Sequence, residues 1–285
     1  MRRWAIIAAA AATVAGVVVA VAALTHDTSG SAEAPLMPTL PRGVRTLHPP
    51  DLPSPPPLHP TSDPIPILMY HAIADPPADA RYPELYVSDE DFAHQIDWLE
   101  RQGYHAVTLR DAYLHWRFGR SVPAHPLVLT FDDGYHSQFA TAAPILQRHG
   151  WVGVLDLEVR NTERPWGMSE EQVRLLIGDG WELAAHTLTH PDLTQLPAAE
   201  LRHEVAGSRA ELHATFGVPV DFFCYPAGRY DDMVVAAVES AGYVGATTTA
   251  PGLATPSDLF RLPRVRVNRS DGVDGLVAKL RALGA

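Results

Sequence analysis

Three stretches of the 285-residue chain carry side chains whose types and spacing suit metal-assisted hydrolysis. In LTFDDGY (129–135) two adjacent carboxylates, Asp132 and Asp133, follow an apolar run and precede Gly134. Successive strand residues point to opposite faces, but a strand end bends, so both carboxylates can reach one cleft. One could then hold a metal while the other acts as a base; the alternative is an Asp-Gly turn that caps the next helix. In HTLTH (186–190), His186 and His190 are four apart. On a helical turn this spacing puts both rings on one face, where they can hold one ion. Two imidazoles and a carboxylate make a three-ligand set for catalytic Zn²⁺ with a position left for water; helix-cap or core histidines are the alternative. In FFCYPAGRYDD (222–232), Pro226 breaks a strand after Tyr225 and Gly228 relaxes the turn. Such a turn can aim a backbone N–H at a reacting oxygen, or simply lead into a helix capped by Asp231 or Asp232.

The elements around these stretches alternate. Short apolar strands are expected at 65–70, 105–109, 126–131, 152–157, 181–186, 221–225, 243–248 and 262–267. Helices are expected between them: one from the N-cap Ser88 to Gly103, then 110–118, 137–149, a capping-box helix from Ser169 and Gln172 with Gly178 as its stop, 197–216 closed by Gly217, 231–242, and a closing helix at 273–283. Repeated strand–helix units with apolar strands predict a parallel sheet covered by helices. The fold class expected is α/β, an irregular (β/α) barrel of about seven strands. A barrel places working residues at the C-terminal ends of its strands, and all three stretches fall there.

A formal charge of −11 without a basic stripe gives no support to nucleic-acid binding. The one cysteine, Cys224, excludes an intrachain disulfide and reads as a small buried hydrophobe. Arg2 and Arg3 precede 21 uncharged residues, Trp4 to Leu24, long enough to span roughly 30 Å of bilayer core. Residues 1–25 are thus expected to be a single transmembrane anchor with the rest of the chain outside the cytoplasm, a cleaved signal peptide being the rival. The Pro-rich stretch 26–63 is expected to be a disordered spacer, and the catalytic domain to occupy 64–285.

The ordered set TFDDGY, HTLTH and FCYPAGRYDD resembles the polysaccharide deacetylases of the NodB-homology domain, carbohydrate esterase family 4. The resemblance covers about Pro64 to Arg269. PILMYHAI (66–73) and FRLPRVRVNR (260–269) look like the branch that includes bacterial poly-N-acetylglucosamine deacetylases. It implies an irregular β/α barrel and removal of N-acetyl groups from a glycan. It implies a divalent metal, Zn²⁺ first, with Co²⁺, Ni²⁺ or Mn²⁺ as alternatives. It assigns the general base to Asp132, the metal ligands to Asp133, His186 and His190, and an oxyanion-binding backbone N–H to Tyr225. Many members carry a late Leu-x-x-His acid, but no histidine follows His213 here. His71, at the end of the first strand, is the candidate acid, because first and last strands of a barrel are neighbours. The arginine many members place before the third motif is also absent, leaving Arg264 or Arg266 to orient Asp132 from the last strand. Tyr135, Trp166 and Trp181 could stack on sugar rings, core packing being the alternative for Trp181. The partner expected is an N-acetylated glycan, the protein monomeric. Other readings on the same scaffold are an acetyl-xylan-type esterase, an amidase of small cyclic imides, and a glycan-binding protein without turnover.

Overall fold

The computed structural model describes residues 59–285. The segment 1–25 expected as an anchor and most of the segment 26–63 expected as a spacer lie outside the described residues. Among the described residues no helix is long and apolar enough to cross a membrane. Residues 59–63 lie against the protein: Trp116 donates its indole N–H to the Asp63 carbonyl at 2.8 Å.

Ten strands and seven α-helices follow. The strands are β1 (Ile67–Tyr70), β2 (Ala72–Ile73), β3 (Tyr86–Val87), β4 (His105–Ala106), β5 (Pro126–Asp133), β6 (Val154–Leu157), β7 (Glu182–Ala185), β8 (Phe222–Cys224), β9 (Gly245–Pro251) and β10 (Leu262–Arg266). The helices are α1 (Asp89–Arg101), α2 (Leu109–Phe118), α3 (Ala143–Arg148), α4 (Glu170–Gly178), α5 (Ala198–Phe216), α6 (Asp232–Ser240) and α7 (Gly272–Leu283). Strands β5 to β10 pair in sequence order, β10 pairs β1, and β1 pairs β5, every pairing being parallel. The result is a closed seven-stranded barrel, as the alternation predicts. Strand β4 lies outside the ring beside β5, and β2 pairs only with β3.

The period of two sets what the barrel contains. Ile67, Val128, Val154, Ala184, Phe222 and Leu262, one from each of six strands, form a single apolar cluster. Their strand neighbours Leu68, Leu129, Leu155, Leu183 and Phe223 belong instead to the cluster shared with the helices. Two residues beyond that first layer come Thr130, Asp156, His186, Cys224 and Arg264, all buried. One pleat thus stacks a polar layer on an apolar floor inside the barrel.

Local differences from the sequence reading have local causes. Strand β4 keeps only two residues because Thr108 is recruited as the cap of α2, in a capping box with Asp111. The expected helix 137–149 starts as a π-helical turn, Gln138–Ala142, and becomes α-helical where Pro144 can sit in a first turn. Gly178 is the last helical residue of α4 rather than its stop; the left-handed residue is Gly180, at φ 95°. The capping box of Ser169 and Gln172 is formed, and Gly217 closes α5 at φ 71°.

Candidate active site

Strand β5 is long enough to carry both carboxylates past the floor of the barrel. Asp132 is buried among the polar layer, while Asp133 takes φ 74°, which turns the chain so that its carboxylate reaches the same cleft. The Asn161 side-chain amide holds the Asp133 carbonyl at 2.8 Å. His186 and His190 are not on a helical turn, which corrects the sequence reading. They bracket a loop after β7 in which Thr187 and His190 adopt φ 67° and 56°. The loop still brings the rings together, with centroids 4.8 Å apart.

Asp133 Oδ1 lies 3.5 Å from His186 Nε2 and 3.8 Å from His190 Nε2. His186 Nδ1 donates to the Cys224 carbonyl at 2.8 Å, so Nε2 is the atom facing Asp133: protonated it donates to that carboxylate, and deprotonated it would offer its lone pair to a cation. Three donor atoms within 4.8 Å of one another fit a small divalent cation. Ligands about 2.05 Å from a tetrahedral ion lie about 3.3 Å apart, close to the separations seen. Burial raises the Asp133 carboxyl, but the His186 hydrogen bond leads the influences that bring it below the usual range.

Asp132 faces a different partner. Arg264, with no exposed surface, grips it through two parallel bonds, NH1 to Oδ1 at 2.7 Å and NH2 to Oδ2 at 2.8 Å. Of the two arginines the sequence offers, Arg264 is the one in the polar layer; Arg266, two residues on, lines the cleft. Burial alone would raise the Asp132 carboxyl, but the guanidinium holds it well below the usual carboxylate range. Asp156 also leans on Arg264, at 3.2 Å, with its Oδ1 unpartnered. Burial and then the Asp132 charge push the Asp156 carboxyl up. Asp156 escapes a sequence reading because it sits inside an apolar strand with no motif around it.

His71 stands where expected, at the seam of β1 and β10, with Nε2 3.9 Å from Asp132 Oδ2 and Nδ1 buried without a partner. Burial lowers its pKa against the opposing pull of Asp132 and Asp133. Tyr225 is the exception. Its N–H donates to the Thr247 carbonyl at 3.1 Å as part of the sheet, and so does not point free into the cleft. The residue that the next turn presents to the cleft is Ala227, at φ 52°.

Asp132, Asp133, His71, His186 and His190 share one open cleft of about 580 Å³. Tyr135 and Trp166 form one wall, with rings 5.0 Å apart. Trp166 is 46% exposed yet fixed. His136 N–H donates to its carbonyl, Met168 N–H to the Gly134 carbonyl, and a Cβ on Gly167 would fall 1.8 Å from the Asn161 oxygen.

Residues 119–246 match the family model for polysaccharide deacetylase. A Bacillus subtilis (strain 168) protein named as a polysaccharide deacetylase, YxkH, is 29% identical over 74% of this chain and 73% of its own length. The poly-beta-1,6-N-acetyl-D-glucosamine N-deacetylase of Escherichia coli (strain K12) is 26% identical over 70% of this chain, which spans only 36% of that protein. Among solved structures, the Streptococcus pyogenes deacetylase PplD in complex with acetate superposes with TM-score 0.72 and 25% identity, over 77% of this chain and 99% of that one. The polysaccharide deacetylase BC0361 of Bacillus cereus follows with TM-score 0.69 and 27% identity, over 77% and 69%. With the closed barrel and the three motifs at its mouth, these likenesses identify in this chain a polysaccharide deacetylase domain of the NodB-homology, or carbohydrate esterase 4, type, matched by the family model over 119–246.

Proposed function

We propose that this deacetylase is a metal-dependent hydrolase that removes N-acetyl groups from an N-acetylglucosamine-containing polysaccharide of the cell envelope or extracellular space. The observation that carries the proposal is the Asp133–His186–His190 cluster opening beside the Arg264-bound Asp132 in one cleft. A divalent ion held by those three residues, Zn²⁺ first, supplies Lewis acidity and a more acidic water.

Asp132 is the base that takes the proton of the attacking water, with Arg264 fixing its carboxylate plane. His71 is the acid, giving a proton from Nε2 to the departing amine nitrogen. Ala227, rather than Tyr225, is the backbone position on the β8 turn from which an N–H can meet the developing oxyanion. The fixed faces of Trp166 and Tyr135 suit a pyranose ring, which supports a glycan over a small cyclic imide. The name of the Escherichia coli relative supports an N-acetylglucosamine polymer. We place the enzyme outside the cytoplasm as a monomer, held by the apolar segment Trp4–Leu24 or released by its cleavage.

The test is acetate release by the purified protein from β-1,6-linked poly-N-acetylglucosamine, N-acetylglucosamine oligomers, peptidoglycan and acetylated xylan. Release from an amide substrate should stop with chelator and return with Zn²⁺, and Asp132→Asn should keep the metal while losing at least a hundredfold in turnover. Release from xylan alone would make the chain an esterase. One bound ion with no release from any substrate would make it a binding protein.

A further inference from the structure

Beneath the loop that joins the two histidines lies a carboxylate that no motif contains. Glu204 belongs to α5, where Leu201, Val205, Ser208 and Leu212 form the buried stripe, and it is itself only 8% exposed. Its Oε2 accepts the N–H groups of Leu188 at 2.9 Å and Thr189 at 3.0 Å, and its Oε1 accepts the Thr189 hydroxyl at 2.6 Å. Leu188 and Thr189 are two of the three residues between His186 and His190. One turn along the same helix, a Cβ on Gly207 would stand 3.1 Å from Leu188 Cδ1, so the helix and the loop are in close contact there too.

The loop needs such a hold. Thr187 and His190 both take left-handed backbones, at φ 67° and 56°, each costing on the order of 1–3 kcal/mol for a residue with a side chain. Within the loop, His190 N–H is returned to Thr187 Oγ1 at 2.8 Å. From outside, the Val159 and Arg160 N–H groups hold the Thr187 and Leu188 carbonyls at 3.1 and 3.0 Å, and Glu204 is the side chain that holds the loop's own N–H groups. Its partners are two backbone amides and one hydroxyl, so both carboxyl oxygens are committed to the loop.

We infer that Glu204 is a positioning residue for the metal site: it clasps the Leu188–Thr189 backbone and so fixes the spacing of His186 and His190. This rests on the metal reading of those histidines but uses a residue that touches neither ring nor substrate. The test compares the full chain with Glu204→Ala and Glu204→Gln by competitive Zn²⁺ titration and by the visible absorption of the Co²⁺-loaded protein. Glu204→Ala should weaken Zn²⁺ binding 10- to 100-fold, the range for residues that orient ligands, and change the Co²⁺ spectrum. Glu204→Gln, which keeps an acceptor for the amides, should recover most of the affinity. Should Glu204→Ala fail to accumulate, Thr189→Val removes one of the three bonds and should weaken Zn²⁺ several-fold. Variants that bind Zn²⁺ and Co²⁺ as the parent does would overturn the inference while leaving the metal site standing. A parent that takes up no divalent ion would overturn both.

Discussion

At Arg264 one buried guanidinium serves two carboxylates, Asp132 and Asp156, with Thr130 Oγ1, the Thr248 carbonyl and Cys224 Sγ completing its partners. Removing one side of a buried ion pair leaves the other charge stranded, which costs about 3–5 kcal/mol. Arg264→Met should therefore lose that much at pH 7. In the parent, Arg264 keeps the folded pKa of Asp132 below that of the unfolded chain, so the folded form binds fewer protons. That share of stability is present above about pH 4 and is lost as the pH falls. The penalty of Arg264→Met should accordingly shrink toward pH 4, where a carboxyl without its cation can fold neutral. Denaturant titrations at pH 7 and pH 4 read this; equal penalties at both would remove the electrostatic account. Residues of this kind divide sharply in how readable they are. Asp132, Asp133, His186 and His190 announce themselves by type and spacing. Arg264 and Arg266 share one strand face, so alternation leaves both as candidates, and only depth in the barrel sets Arg264 against Asp132 and Arg266 at the cleft. Asp156 and Glu204 carry no motif, although a glutamate on the buried stripe of α5 is a signal that helical periodicity alone could have raised.

Elements, more than single residues, aim the cleft. The turn leaving β8 runs through two left-handed residues, Ala227 at φ 52° and Gly228 at φ 66°, and swings Ala227 toward the substrate space. Gly228 is required on two counts. Its backbone suits glycine, and a Cβ there would fall 1.9 Å from Thr249 Oγ1 on β9. Gly228→Ala should cost on the order of 1–3 kcal/mol through strain and overlap, and should lower acetate release by displacing the turn. A variant within about 0.5 kcal/mol of the parent in denaturant, with full release, would show that the turn yields freely. Such turns are where sequence reasoning stops. The Pro226–Gly228 signal marks a turn but not which amide faces inward, and the Tyr225 N–H that it suggests is claimed by the Thr247 carbonyl. The four-residue spacing of His186 and His190 suggested a helical turn, whereas strained backbone and a distant glutamate hold them. The order of the barrel strands and of the helices, by contrast, was legible, because each barrel strand carries its own apolar run; the two-residue β2 and β3, too short to show a pattern, were not.

For the molecule as a whole, closure of the barrel connects residues far apart in sequence. β1 lies between β10 and β5, so His71, Arg264 and Asp132 meet across that seam, while Asp133, His186 and His190 come from β5 and the loop after β7. An ion shared by β5 and the β7 loop would bind the folded chain and not the unfolded one, whose ligands are scattered. Mass action then predicts its effect on stability: at a free concentration one hundred times Kd, one site adds about 2.7 kcal/mol. For a domain of this size each kcal/mol moves Tm by roughly 2–4 °C, so saturating Zn²⁺ should raise Tm by roughly 5–10 °C over chelator-treated protein. His190→Ala should erase most of that rise while barely changing the melting of the metal-free form, since the ring is partly exposed and spans no buried packing. Asp132→Asn should keep the rise, because Asp132 faces Arg264 and not the ion. A Zn²⁺-induced rise that survives His190→Ala would place the ion elsewhere, and no rise in the parent would mean that the three donors, close as they are, do not hold one.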